Sequence, residues 1–125
     1  MKNKLFNGIS IAFGVLLLNG GANKFLNYMP VPDNLPEALV KDSLALVEIE
    51  WLMPLIAIAE ITGGLLILFP KTRALGALVV FPVMIGVLLT HITVAPSGLP
   101  IAITIWGILL WILVEYRTKY IALIK

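Results

Sequence analysis

Four long apolar runs, separated by short polar punctuation, organise the chain at about 5–26, 51–69, 74–95 and 99–115. A helix needs about 20 apolar residues to cross the hydrocarbon core of a bilayer. In lipid, each backbone N–H and C=O must be satisfied within its own segment, so these runs predict transmembrane helices and not strands. The fourth run is somewhat short, and Trp106, Trp111 and Tyr116 suggest that it ends at a membrane interface. Pro70, Lys71 and Arg73 mark a tight basic turn after the second run, and Ala95 to Pro100 mark the turn after the third. Pro54 and Pro100 suit helix starts. Pro82 falls inside the third run, where it is expected to kink the helix or release a carbonyl.

The first and second runs are joined by about 24 residues, too many for a structureless loop in a compact domain. Asn34-Leu35-Pro36-Glu37 reads as a capping box. Leu39, Val40, Ser43, Leu44 and Val47 then recur at helical spacing, with Glu37, Lys41, Asp42 and Glu48 mostly on other faces. The pattern predicts a short amphipathic helix on the membrane surface, either resting there or acting as a lid. The expected architecture is all-α: one domain over residues 1–125, a four-helix transmembrane bundle with a short amphipathic helix in the first extracytoplasmic loop.

Charge adds an orientation. With four spans, both termini and the Pro70 turn share one face, which carries Lys2, Lys4, Lys71, Arg73, Arg117, Lys119 and Lys125, against Lys24 and Lys41 on the other. The positive-inside rule then predicts both termini in the cytoplasm. A competing reading makes the first run a signal peptide with a small-residue cleavage site near Asn19-Gly20-Gly21-Ala22. The net charge of +2 is not gathered into a basic patch, which argues against nucleic-acid binding. The chain has no cysteine, so disulfides, thiol redox chemistry and cysteine-ligated iron–sulfur clusters are excluded.

Glu60 is the most informative residue. It lies roughly 13 Å into the second run at 1.5 Å per residue, where a carboxylate costs about 2.5–3.5 kcal/mol on insertion scales. Such a group persists only if the protein meets it internally. Asn19, Asn23 and Lys24 in the first run, His91 in the third and Thr104 in the fourth are all expected in the same, outer half of the bundle. The cytoplasmic half reads as almost purely apolar. Asn19 and Asn23 are four apart and share a face, and Lys24 follows Gly20 by four, so its stem can run past a glycine. Met53, Ala57, Glu60 and Gly64 also share a face, whose small residues admit a close neighbour. Each group also has a plain reading: Lys24 snorkels to headgroups, the asparagines bond between helices, His91 bonds a carbonyl, and Glu60 is a neutral acid joining two helices. The functional reading makes Asn19, Asn23, Lys24, Glu60, His91 and Thr104 the lining of a ligand pocket, with Lys24 the counter-charge of Glu60. Metal binding is not expected, because His91 and Glu60 alone are too few ligands.

The segment Gly21-Ala22-Asn23-Lys24-Phe25-Leu26-Asn27-Tyr28-Met29-Pro30-Val31-Pro32 resembles the end of the first helix in DoxX-like membrane proteins. Ala59-Glu60-Ile61-Thr62-Gly63-Gly64 resembles that family's second-helix motif, and His91 with Ala95-Pro96-Ser97-Gly98-Leu99-Pro100 its third turn. The resemblance implies a four-helix inner-membrane protein, with Asn23, Lys24, Glu60 and His91 at matching positions. Relatives often carry a polar residue near Gly86, so this chain departs there and its pocket would lack one hydrogen-bonding group. The family is associated with quinone-linked membrane oxidoreductases, and more distant relatives act as assembly chaperones.

Two functions follow as expectations. One is a redox-associated subunit that binds a quinone-like or other small amphiphile in the outer pocket and takes its electrons from a membrane or extracytoplasmic oxidoreductase partner or from a substrate. The other is a non-enzymatic assembly factor packing against a larger membrane protein. Whether the chain is itself an enzyme, and whether it self-associates, stays open at this point.

Overall fold

The computed structural model describes residues 2–30 and 34–125. Val31 and Pro32, which end the first of the motifs quoted above, lie outside the described residues. The elements are α1 (Lys2–Leu26), α2 (Glu37–Glu48), α3 (Leu52–Leu68), α4 (Arg73–Thr93), a short 3-10 turn (Pro96–Gly98), α5 (Leu99–Glu115) and α6 (Arg117–Ala122). Among the described residues, three stretches are long and apolar enough to cross a membrane: Asn3–Leu26, Arg73–Thr93 and Pro96–Glu115. A fourth is reached if α2 and α3, bent by 95° at their junction, count as one broken span. Much of the outer surface is apolar, with Ile11 and Val15 of α1, Leu55 and Ile58 of α3, Leu89 and Ile92 of α4 and Ile103 and Leu110 of α5 all exposed.

Glycine sets the helix order. A methyl group on Gly64 would sit 2.8 Å from the Gly14 carbonyl oxygen, and one on Gly21 would sit 2.8 Å from the Ala57 carbonyl oxygen. These two meetings are seven residues apart on each helix, so α1 and α3 run antiparallel in near backbone contact. The adjacent Gly63 faces the other way, where a methyl on Gly76 of α4 would lie 2.7 Å from the Gly63 carbonyl oxygen. The tandem glycines therefore let α3 touch α1 on one side and α4 on the other. Phe13 and Leu17 of α1, Ile67 of α3, Ala77, Val80 and Met84 of α4, and Leu109 and Ile112 of α5 close the core. Trp106 fastens α5 to α4: its indole donates to the Met84 carbonyl at 2.9 Å and its ring meets Phe81 edge-on. Trp106 is thus a packing residue and not an interfacial one. Trp111 and Tyr116 both tilt against Phe6 of α1.

Local details depart from the sequence pattern in two places, and Pro82 is accommodated within its helix. The capping box does not form: α2 starts at Glu37 with Pro36 as its cap and no side-chain cap hydrogen bond. Proline disfavours helical backbone in the residue before it, so a helix cannot start at Leu35 to use Asn34. Pro82 does not break α4, which continues to Thr93. It has no N–H for the Leu78 carbonyl, so a carbonyl is released there, one of the two outcomes expected of a proline at this place. The Pro70 end of the molecule is also not purely apolar. Arg73 is only 1% exposed, and the Ser10 hydroxyl is fully buried with no hydrogen-bond partner among the described residues. Arg73 folds back over the end of α3, its Nε donating to the Ile67 carbonyl at 2.7 Å and its Nη2 to the Leu68 carbonyl at 3.3 Å and to Asn7 Oδ1 at 2.9 Å. Those carbonyls belong to the last helical turn, where orphan acceptors and the negative dipole end favour a cation.

The short α6 was not foreseen. Its anchor is Tyr120, whose hydroxyl donates to the Ala74 carbonyl at 2.9 Å. Burial, and secondarily Tyr116, pushes the Tyr120 phenol above its ordinary value of 10.0. The folded state prefers the protonated phenol, so this docking is fully present below pH 10.0 and is lost as pH rises through the elevated folded value. Titration of tyrosinate absorbance is expected to show a late-ionising tyrosine that disappears in Tyr120→Phe.

Candidate functional site

A cavity of about 520 Å³ lies between α3 and α4 at the Pro96 end, within the range of small-molecule sites. On α3 its wall is Leu52, Met53, Ile56 and Glu60, which share one helical face. On α4 it is Pro82, Val83, Gly86, Val87, Thr90 and His91, pairs of neighbours four residues apart. Gly86 leaves that wall thin, since a methyl there would meet nothing within 4 Å. Leu46 of α2 closes one side and Lys24 of α1 reaches in from another.

The polar centre is an ion pair. Lys24 Nζ lies 2.6 Å from Glu60 Oε1. Glu60 is 6% exposed, while the Lys24 side chain keeps 25% of its surface open. Gly20 makes the geometry possible, because a methyl there would press to 2.8 Å from Glu60 Oε2. Lys24 stands in the last turn of α1, where the helix dipole also favours its charge. An acid in an apolar surround is tolerable only with such a partner, because its desolvation cost is otherwise unmet.

His91 is fixed at both edges of its ring. Nδ1 lies 2.8 Å from the Val87 carbonyl oxygen. A carbonyl only accepts, so Nδ1 carries the proton and Nε2 holds the lone pair in the neutral ring. The Nε2 edge rests on Gly98 of the turn, where a methyl would come within 2.7 Å. No hydrogen bond joins His91 to Glu60 among the described residues, and the two stand as separate polar points in the wall of one cavity. Among the described residues no group of three or more His, Asp or Glu side chains is placed to hold a metal ion.

A family model described as DoxX matches residues 9–93. The chain belongs to the DoxX family. Its apolar helices and this membership make it an integral, multi-pass membrane protein. No curated protein and no solved structure matches the chain. The DoxX match takes in Lys24, Glu60 and His91, the three predicted site residues that line the cavity.

The other predicted residues sit elsewhere in this DoxX chain. Asn19 turns to the segment after α1, where its side-chain amide accepts from the Tyr28 hydroxyl and donates to Met29 Sδ at 3.4 Å. Asn23 Oδ1 accepts the Met29 N–H at 2.8 Å. Both asparagines thus tie down the chain leaving α1 and are not part of the cavity wall, consistent with the positive φ of 51° at Asn27 where the chain reverses. Thr104 is exposed and returns its hydroxyl to the Pro100 carbonyl at 2.8 Å. It lies beyond the matched DoxX region. Thr90 and Leu46 are lining residues that sequence reasoning missed. Thr90 was detectable, four residues after Gly86 and beside His91. Leu46 was not, because nothing in its spacing fixes how α2 folds over the cavity.

Proposed function

We propose that this DoxX protein is a four-helix transmembrane bundle of the inner membrane, with both termini cytoplasmic and α2 lying along the outer interface. In this reading it is a redox-associated subunit that holds a quinone-like or other small amphiphilic ligand in the cavity between α3 and α4. The supporting observation is the Lys24–Glu60 pair beside His91 in a largely apolar chamber. An ammonium can donate to a ligand carbonyl oxygen, and the imidazole Nε2 can accept from a ligand hydroxyl. Apolar walls suit the ring and tail. The chain's own part is to bind, orient and exchange protons. The electrons come from a partner oxidoreductase or from a substrate.

Titration of short-chain quinones into purified protein, read by Trp fluorescence, tests this. Binding is expected to saturate in the native protein and to weaken about tenfold or more in Glu60→Gln and in His91→Ala, the loss of one charge-assisted contact. Unchanged binding in both variants removes the reading.

The alternative is a non-enzymatic assembly factor. It is favoured by α2, whose Val40, Leu44, Leu46 and Val47 are exposed on a helix with no buried residue. Such a helix suits the flank of a larger membrane protein. A stoichiometric membrane partner recovered with the native chain, and lost in Leu44→Glu/Val47→Glu, would select it.

A further inference from the structure

The cavity between α3 and α4 has a closed floor and an open flank. Its floor is the glycine crossing, where a methyl on Gly76 would lie 2.7 Å from the Gly63 carbonyl oxygen. Glu60 stands about one turn from Gly63 on the cavity side. At the Pro96 end, Leu46 of α2 covers one side and the His91 ring rests on Gly98. Pro82 and Gly86 also line the cavity, yet both are exposed.

Helical phase shows where that exposed wall points. Successive residues turn by about 100°, so Gly86 and Pro82 are rotated from Val87 by about 100° and about 140° in one sense. Met84 and Phe81, which meet Trp106 of α5, are rotated from it by about 60° and about 120° in the other. Helix α5 therefore covers the far flank of α4 and leaves the Pro82–Gly86 flank bare. Leu78, Ile85 and Leu89 are exposed and continue that flank round to the lipid-facing surface. At 1.5 Å per residue, Gly86 is about 11 Å from the Thr93 end of α4 and Pro82 about 14 Å from the Arg73 end. The gap thus lies at hydrocarbon depth and not among the headgroups.

Building on the amphiphile reading of this cavity, we propose that the gap at Pro82 and Gly86 is its doorway to the bilayer, and that its ligand is a membrane-dissolved amphiphile with a long hydrocarbon chain. The polar head lies against Lys24 and Glu60, and the chain leaves across Gly86 into the lipid. A volume of about 520 Å³ accommodates a drug-sized head, so a long chain continues outside it. A water-borne ligand would have to pass Leu46 and the His91–Gly98 contact, whereas a lipid-borne one enters at its own depth. Gly86 is then a specificity-determining residue, because any larger side chain there stands in the path of the chain.

The test uses the full chain in lipid nanodiscs and two probes, a dimethoxy-methylbenzoquinone carrying a decyl chain and the same ring without it. Gly86→Phe has room to fold as the native chain does, since a methyl at Gly86 meets nothing within 4 Å. It is expected to weaken binding of the decyl form by about tenfold, the scale of two methylene groups displaced from apolar contact. The chainless ring should change by less than about twofold on the same scale. Gly107→Phe on α5, where a methyl is equally unobstructed, should leave both probes unchanged. Equal loss of both forms in Gly86→Phe, or no loss of the decyl form, keeps the quinone reading and overturns the lateral path. Binding of neither form by the native chain removes the quinone reading and the ligand assigned here with it. A second measurement needs no ligand. The chain has no cysteine, so Gly86→Cys carries a single nitroxide label. That label is expected to collide with oxygen in preference to a water-soluble nickel chelate, as a label at Leu89 does, and to lose oxygen collisions when the decyl quinone is added. Preferential collision with the nickel chelate would mean a cavity filled from the aqueous side and would overturn the proposal.

Discussion

Gly64→Ala is expected to lower the stability of this protein by up to about 2 kcal/mol, although alanine is the better helix former. The intrinsic gain from replacing a helical glycine is about 1 kcal/mol. Against it stands the added methyl, 2.8 Å from the Gly14 carbonyl oxygen and 3.1 Å from the Leu18 nitrogen. Both are backbone atoms, so no rotamer change relieves the clash and the two helices must separate. Overpacking of that kind costs about 1–3 kcal/mol, and it also loosens the seam that aligns Lys24 with Glu60. Gly107→Ala is the control, because a methyl there meets nothing within 4 Å. It should be neutral or stabilising by up to about 1 kcal/mol. Unfolding in mixed micelles by titration with a denaturing detergent, followed by Trp fluorescence, separates the two. Equal behaviour of Gly64→Ala and Gly107→Ala would contradict the packing described above.

Lys24→Met has the second large effect. It leaves Glu60, 6% exposed, without its counter-charge. Breaking a fully buried pair costs about 3–5 kcal/mol, whereas exposed pairs are worth about 0–1. Lys24 keeps a quarter of its side chain open, so about 2–3 kcal/mol is expected on that scale. Lys24→Met combined with Glu60→Met should recover most of the loss, because well-packed apolar residues replace a buried pair at little cost or with a gain. The same double variant should bind no quinone. The measurement is a double-mutant cycle, expected to give a coupling of about 2 kcal/mol. Additive single and double effects would mean that the 2.6 Å approach contributes no coupling.

Much of this site was legible before any coordinates. Glu60 announced itself through the cost of a carboxylate inside an apolar run, and Lys24 through the glycine one turn before it. His91 stood out as the single imidazole, two residues before α4 ends at Thr93. The asparagines were not legible in the same way. Their amides bond equally well to a neighbouring helix or to a loop, and the path of Tyr28 and Met29 decided the matter. Arg73 was counted only among the basic residues of the Pro70 turn, because residue type and a nearby proline say nothing about which carbonyls a guanidinium can reach. Thr104 satisfies itself within its own turn, as short hydroxyl side chains in helices often do. Helix positions were set by the apolar runs, whose ends fall within three residues of the observed ones. The Tyr120 anchor of α6 depends on a contact across 46 positions and leaves no local signature.

The tandem glycines of α3 have an evolutionary consequence. One seam depends on Gly64 and the other on Gly63, and successive helical residues are rotated by about 100°. Substitution can tune either seam by itself. Inserting or deleting a single residue just before this pair would swing both glycines away from their partners at once, so this stretch should drift by point change while keeping its length fixed.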